Sequence, residues 1–172
     1  MKTVKVLQAR LKDNVDAVTG AWPVLNNCNI KAGANMVFLG VVRFTALPAR
    51  RDSITWFQTE SAAGVETRVS QTMQYVAGAS QFTLRRSGSI KINGVTPVAD
   101  VTKFDLNKWY LVEIYGPVSE ATPKINLGAG VGGNGMPSSD WGEKFELFTN
   151  GATEQQLVAA RKALMDYYGI VN

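Results

Sequence analysis

The sequence predicts an antiparallel all-β domain, a sandwich or barrel, that ends in one amphipathic helix. Three observations carry that reading. Short extended runs recur along residues 36–149 with turn residues between them. Asn93-Gly94 stands between Ile92 and Val95, and both residue types tolerate the positive φ of a tight hairpin turn. From Thr153 to Tyr168 the apolar period changes from that of a strand to that of a helix.

Taken in order, Met36–Phe44 is apolar at nearly every position, as in a strand buried on both faces. Gly40 at its middle predicts a bulge or a close approach of other atoms. Ile54–Thr59 follows the polar turn Ala49-Arg50-Arg51-Asp52, and Val65–Ser70 alternates weakly. Gln81–Arg85 and Ser89–Ile92 flank a turn at Arg86-Ser87-Gly88. Trp109–Tyr115 is aromatic and β-branched and closes at Gly116-Pro117. Lys124–Leu127 and Lys144–Thr149 complete the strands. Thr153 and Gln156 form a capping box. Leu157, Ala160, Leu164 and Tyr168 make one apolar face. Arg161 and Lys162 suit the negative end of the helix dipole, and Gly169 suits a left-handed stop. That face has to pack on the sheets, at an edge or an open end. Residues 128–142 are glycine-rich and read as one loop. The chain is expected to be a single domain, 1–172, in which residues 1–35 form an arm gripping a neighbour or an edge strand.

The 172 residues are 45% hydrophobic and 19% charged, enough for one core without a staple. There is no histidine, which removes the commonest general base and metal ligand. Cys28 is the single cysteine, so neither an intrachain disulfide nor a thiolate zinc cage forms. Triad hydrolysis and zinc chemistry are therefore not expected, and no cofactor is implied. The net charge of +4 is mild. Its densest basic spots, Arg50-Arg51 and Arg85-Arg86, read as solvated turn residues, so no specific nucleic acid is expected. No signal-length or membrane-length apolar run occurs, so membrane insertion is not expected either and folding in a reducing cytoplasm is.

Gly128–Gly133 matches G-x-G-x-x-G, but a dinucleotide site needs a helix to start there, and Asn134-Gly135-Met136-Pro137 does not start one. Asp140, Glu143 and Glu146 bring three carboxylates together. A glycosidase needs two facing each other, and on one strand Glu143 and Glu146 point to opposite faces. Asn134, Asp140 and Trp141 are the candidate binding residues, as a sugar subsite with an aromatic platform and polar partners. Against that stands a structural role, with Trp141 packing at the base of the last strand. No Asp/Asn-dense run supplies a calcium site.

The second half of the chain resembles the concanavalin A-like (laminin-G-like) jelly-roll family. The matching pieces are Ile90-Lys91-Ile92-Asn93-Gly94, Lys108-Trp109-Tyr110-Leu111-Val112, Ile125-Asn126-Leu127-Gly128, Gly142–Phe148, Asn150-Gly151, Thr153–Gln156 and Tyr167–Ile170. They span about residues 82–170. The resemblance implies a jelly-roll sandwich, in a family that includes lectins, glucanases and structural modules of phage virions. The glucanase carboxylate pattern and the lectin calcium cluster are missing from this sequence. A small sandwich of this kind resembles a tailed-phage virion accessory protein, a capsid decoration or a tail or fibre component. That implies other virion proteins and further copies of itself as partners, and the virion as its location. A lectin-like module that touches a host-surface glycan is the alternative, and a glycan hydrolase is the third reading.

Overall fold

In a computed structural model of the chain the described residues are 6–11, 20–21, 23–46, 53–75, 81–87, 89–97, 103–128 and 138–171. They form thirteen strands and one helix: β1 Val6–Leu11, β2 Gly20–Ala21, β3 Val24–Leu25, β4 Asn35–Ala46, β5 Ser53–Glu60, β6 Glu66–Tyr75, β7 Gln81–Ser87, β8 Ser89–Ile92, β9 Lys103–Asp105, β10 Trp109–Pro117, β11 Lys124–Leu127, β12 Ser138–Gly142, β13 Glu146–Phe148 and α1 Glu154–Tyr168. The first sheet runs β2-β1-β12-β4-β10-β8, with β13 also paired to β4; the second runs β3-β11-β5-β6-β7-β9. Every strand pair is antiparallel. The architecture is the expected all-β sandwich with one C-terminal helix.

The unbroken apolar run of β4 has a direct cause. Met36, Phe38, Val42 and Phe44 face the second sheet, while Val37, Leu39 and Val41 face α1 on the outside. Between the sheets lies an aromatic core, with Phe44, Trp56 and Phe104 meeting edge to face at 5.0–5.8 Å. Gly40 keeps its place in the β4–β10 register, opposite Val112. A side chain there would put its Cβ 2.6 Å from the Phe38 ring, so the glycine marks a close approach and not a bulge.

The helix begins and ends as its sequence requires. Thr153 accepts from the Gln156 N–H, Gln156 Oε1 accepts from the Thr153 N–H, and Gly169 stops the helix at φ 67°. Leu157, Ala160, Leu164 and Tyr168 are buried against the outer face of the first sheet. Burying each of the two leucines contributes roughly 1.5–3 kcal/mol. The helix thus covers a sheet face, not an edge or an open end.

Several expectations are corrected. Arg85 and Arg86 lie within β7, which runs on to Ser87, and not in a turn. The strands on either side of Gly88 belong to different sheets, so the chain crosses the sandwich there. Asn93-Gly94 makes its tight turn, with φ of 50° and 80°, yet Val95 returns only as an isolated bridge to Ile92. The strand from Trp109 continues through Gly116-Pro117, which pair with Met36 and Asn35. β1 sits inside the first sheet between β2 and β12. Arg50, Arg51 and Trp22 lie outside the described residues.

Candidate functional site

The predicted loop at 128–142 ends in a strand, and this decides the fate of the predicted sugar subsite. β12 inserts between β1 and β4, pairing Trp141 with Val42 and Asp140 with Arg43. Alternation then sends Trp141 inward, with Val42 and Phe44, and Asp140 outward, with Arg43. Trp141 is 1% exposed, stacked on Trp56 at 5.9 Å and edge-on to Phe38 at 6.1 Å. Neither face of its ring is open to a sugar. Asp140 is 2% exposed and accepts from Arg43 Nε at 3.1 Å and from Arg43 Nη2. Arg43 in turn lies 4.7 Å over the Trp109 ring. The two residues serve packing and an ion pair, and the surface platform expected of them is not formed. Asn134 lies outside the described residues, as does the rest of the glycine motif beyond Gly128. Gly128 has φ 105° and donates its N–H to the Trp56 carbonyl at 2.7 Å.

Glu143 lies in the bend before β13 and Glu146 opens that strand, so the two do not share a strand. A carboxylate pair that the sequence did not reveal lies elsewhere. Glu60 and Glu66 stand opposite each other on β5 and β6, on the outer face of the second sheet. All four carboxylate oxygens accept: Glu60 from Lys124 at 3.3 Å and Asn126 at 2.6 Å, Glu66 from Gln58 at 2.8 Å and Ser70 at 2.9 Å. Five residues separate the two glutamates, and only the register of the hairpin places them face to face. Among the described residues no group of three or more His, Cys, Asp and Glu stands close enough to hold a metal ion. No described helix is long and apolar enough to cross a membrane.

A surface groove lies between α1 and the last strand of its sheet, β8. The helix packs on the outward Val37, Leu39 and Val41 of β4 and Leu111 of β10, and stops short of β8, whose outward residues are Ser89 and Lys91. This leaves a hollow of about 440 Å³ lined by Ser89, Ile90, Lys91, Thr96, Tyr115, Glu154 and Leu157. The Lys91 ammonium lies 5.7 Å over the Tyr115 ring. The Asn93 N–H donates to the Leu111 carbonyl, so Lys91 and Asn93 turn their main chain toward β10, while Ile90 and Ile92 turn theirs away. Ile92 is satisfied by Val95 at 2.8 Å and 3.0 Å. The outward N–H and C=O of Ile90 pair with no described strand, and the residue is 1% exposed.

Behind the groove lies an ionic network. Glu113 is 0% exposed and accepts from Arg161 Nε at 2.6 Å, from Arg161 Nη2 at 3.1 Å and from the Tyr115 hydroxyl. Arg161 Nη1 reaches Glu154 at 2.7 Å. So Arg161 serves this network instead of the helix dipole. Burial, and then the Glu113 carboxylate, push the Tyr115 phenol well above its ordinary range. The bond to Glu113 holds Arg161 more firmly protonated, and Arg161 draws the Glu154 carboxyl below its usual range. The network therefore fixes one wall of the groove in a single charge state. No protein-family model, curated protein or solved structure matches this chain.

Proposed function

We propose that this chain is a non-catalytic binding and assembly module that associates with a second copy of itself across the edge strand β8. We place it in a tailed-phage particle, as a capsid decoration or a tail or fibre component. The observation that carries the reading is the half-covered outer face of the first sheet, where a groove beside the last strand β8 has Lys91 on one wall and Glu154 on the other. Two copies related by a twofold axis present the same patch to each other. Lys91 of each copy then meets Glu154 of the other. The charge pattern is self-complementary, which favours this occupant over an unrelated surface. The small single sandwich and the motif order at about residues 82–170 support the virion setting through family resemblance.

The test is the oligomeric state by sedimentation and light scattering. The native chain dimerises, Lys91→Glu and Glu154→Lys each weaken the dimer, and the double reversal restores it. Circular dichroism controls for folding. A native chain that stays monomeric at hundreds of micromolar, or a double variant no better than the single ones, overturns the interface. Particle-composition analysis tests the setting, and absence from assembled particles overturns it.

A further inference from the structure

A second hollow, of about 450 Å³, opens between the turn that precedes β4 and the segment joining β13 to α1. Its lining differs in kind from that of the first groove. Asn29, Lys31, Thr149 and Asn150 converge on it, around the main chain of Ala32-Gly33. All four polar side chains are exposed, and among the described residues none of them makes a hydrogen bond or ion pair. Lys31 carries the only formal charge in the lining, and no carboxylate is part of it. Three further donors, two amides and one hydroxyl, accompany that cation.

The walls are fixed although the side chains are uncommitted. On one side, Cys28 and Ile30 donate to the Pro123 and Thr122 carbonyls at 2.9 Å and 3.2 Å, and Gly33 donates to Val118 at 2.8 Å. Asn29 holds a left-handed φ of 54° between the buried Cys28 and Ile30, which turns its side chain outward. On the other side, Thr149 bridges to Gly151 immediately before the capping box of α1. The main-chain frame is fixed before binding, and a ligand has only the four exposed side chains to order.

We infer that this hollow is a binding site for a small sugar unit bearing an oxyanion, a carboxylate or a phosphate. Lys31 receives the charge, and the amides of Asn29 and Asn150 with the Thr149 hydroxyl receive ring hydroxyls. The volume is that of a small-ligand site. The inference goes beyond self-association, since no residue of the hollow belongs to the groove at β8.

The experiment is a ¹⁵N NMR titration of the full chain with glucuronate, glucose 6-phosphate, glucose and inorganic phosphate. Glucuronate or glucose 6-phosphate saturably shifts the amides of residues 29–34 and 149–151, and whichever binds more tightly identifies the oxyanion. Glucose binds about tenfold more weakly or less, and Lys31→Gln lowers the affinity for the acidic sugar about tenfold. Lys31 is exposed, so that variant folds, and its unperturbed amide spectrum elsewhere shows it. Glucose binding as tightly as the acidic sugars, affinity unchanged in Lys31→Gln, or no saturable shift overturns the site. Inorganic phosphate alone binding as tightly as the phosphorylated sugar overturns the assignment of a sugar.

Discussion

Replacing Arg161 with methionine tests whether the buried network holds α1 on the sheet. Methionine keeps most of the stem that packs along the helix flank and removes the guanidinium. Glu113 then loses its bonds at 2.6 Å and 3.1 Å and keeps only the Tyr115 hydroxyl, at a position with 0% side-chain exposure. Breaking a buried pair from one side costs roughly 3–5 kcal/mol, because the remaining charge is uncompensated. The Arg161 side chain is 17% exposed, so water already screens part of the pair, and the lower bound applies, about 3 kcal/mol. With a urea slope of about 2 kcal/mol/M this lowers the unfolding midpoint by about 1.5 M. The double variant Glu113→Leu/Arg161→Met removes both charges and replaces them with apolar volume. It is expected to lie within about 1–2 kcal/mol of the native protein, the remaining loss being the stranded Tyr115 hydroxyl. The assay is urea unfolding followed by circular dichroism across the four-protein cycle. A loss below about 1 kcal/mol in Arg161→Met, or a double variant as unstable as the sum of the singles, refutes the argument.

Two further outcomes follow from the same contacts. Burial raises the Tyr110, Tyr115 and Tyr168 phenols in the folded chain. The folded state therefore resists losing these protons, and stability is full below the unfolded tyrosine value near 10 and falls as pH rises above it, by about 1.4 kcal/mol per pH unit for each tyrosine. Urea midpoints measured from pH 8 to 12 show this decline, and Tyr115→Phe makes it shallower; a flat profile refutes it. Gly142→Ala would place a Cβ 2.5 Å from the Tyr168 ring and hydroxyl, which now accepts the Lys144 N–H at 2.9 Å. A loss of about 1–3 kcal/mol is expected by urea unfolding, because the ring must leave its seat against β12; a variant as stable as the native chain contradicts it.

How much of this was legible in the sequence depends on whether neighbours along the chain decided an element. The helix was legible to the residue, since capping, period and stop all lie within Thr153–Gly169. β4 and β10 announced themselves through continuous apolar runs. β12 did not: Ser138–Gly142 has one large apolar residue and follows a glycine-rich stretch, so its local signal is that of a loop. Its strand state is imposed by β1 on one side and β4 on the other, both distant in sequence. The sequence left Trp141 open between packing and a sugar platform, and packing is what the structure shows; the ion-pair partner of Asp140 was hidden. The partner that consumes Asp140 is Arg43, ninety-seven residues away. The crossing between β7 and β8 was likewise hidden, because a Gly88 turn reads the same whether the strands it joins share a sheet or not.

The two outer faces of the sandwich show why the helix lies where it does and why a groove remains beside it. On the second sheet, among the described residues of the outer face, Gln58 and Ser70 bond to Glu66 and Asn126 bonds to Glu60. On the first sheet, Val37, Leu39, Val41 and Leu111 point outward, and water excluded from them drives α1 onto β4 and β10. That apolar patch does not extend to β8, whose outward residues are Ser89 and Lys91. A helix pushed one strand further would desolvate Lys91 with no apolar area gained in return. The step between helix and edge is thus set by the same polarity pattern that folds the domain. A polar-walled step suits a contact that forms between already folded copies, since an apolar one of the same extent would demand an obligate partner.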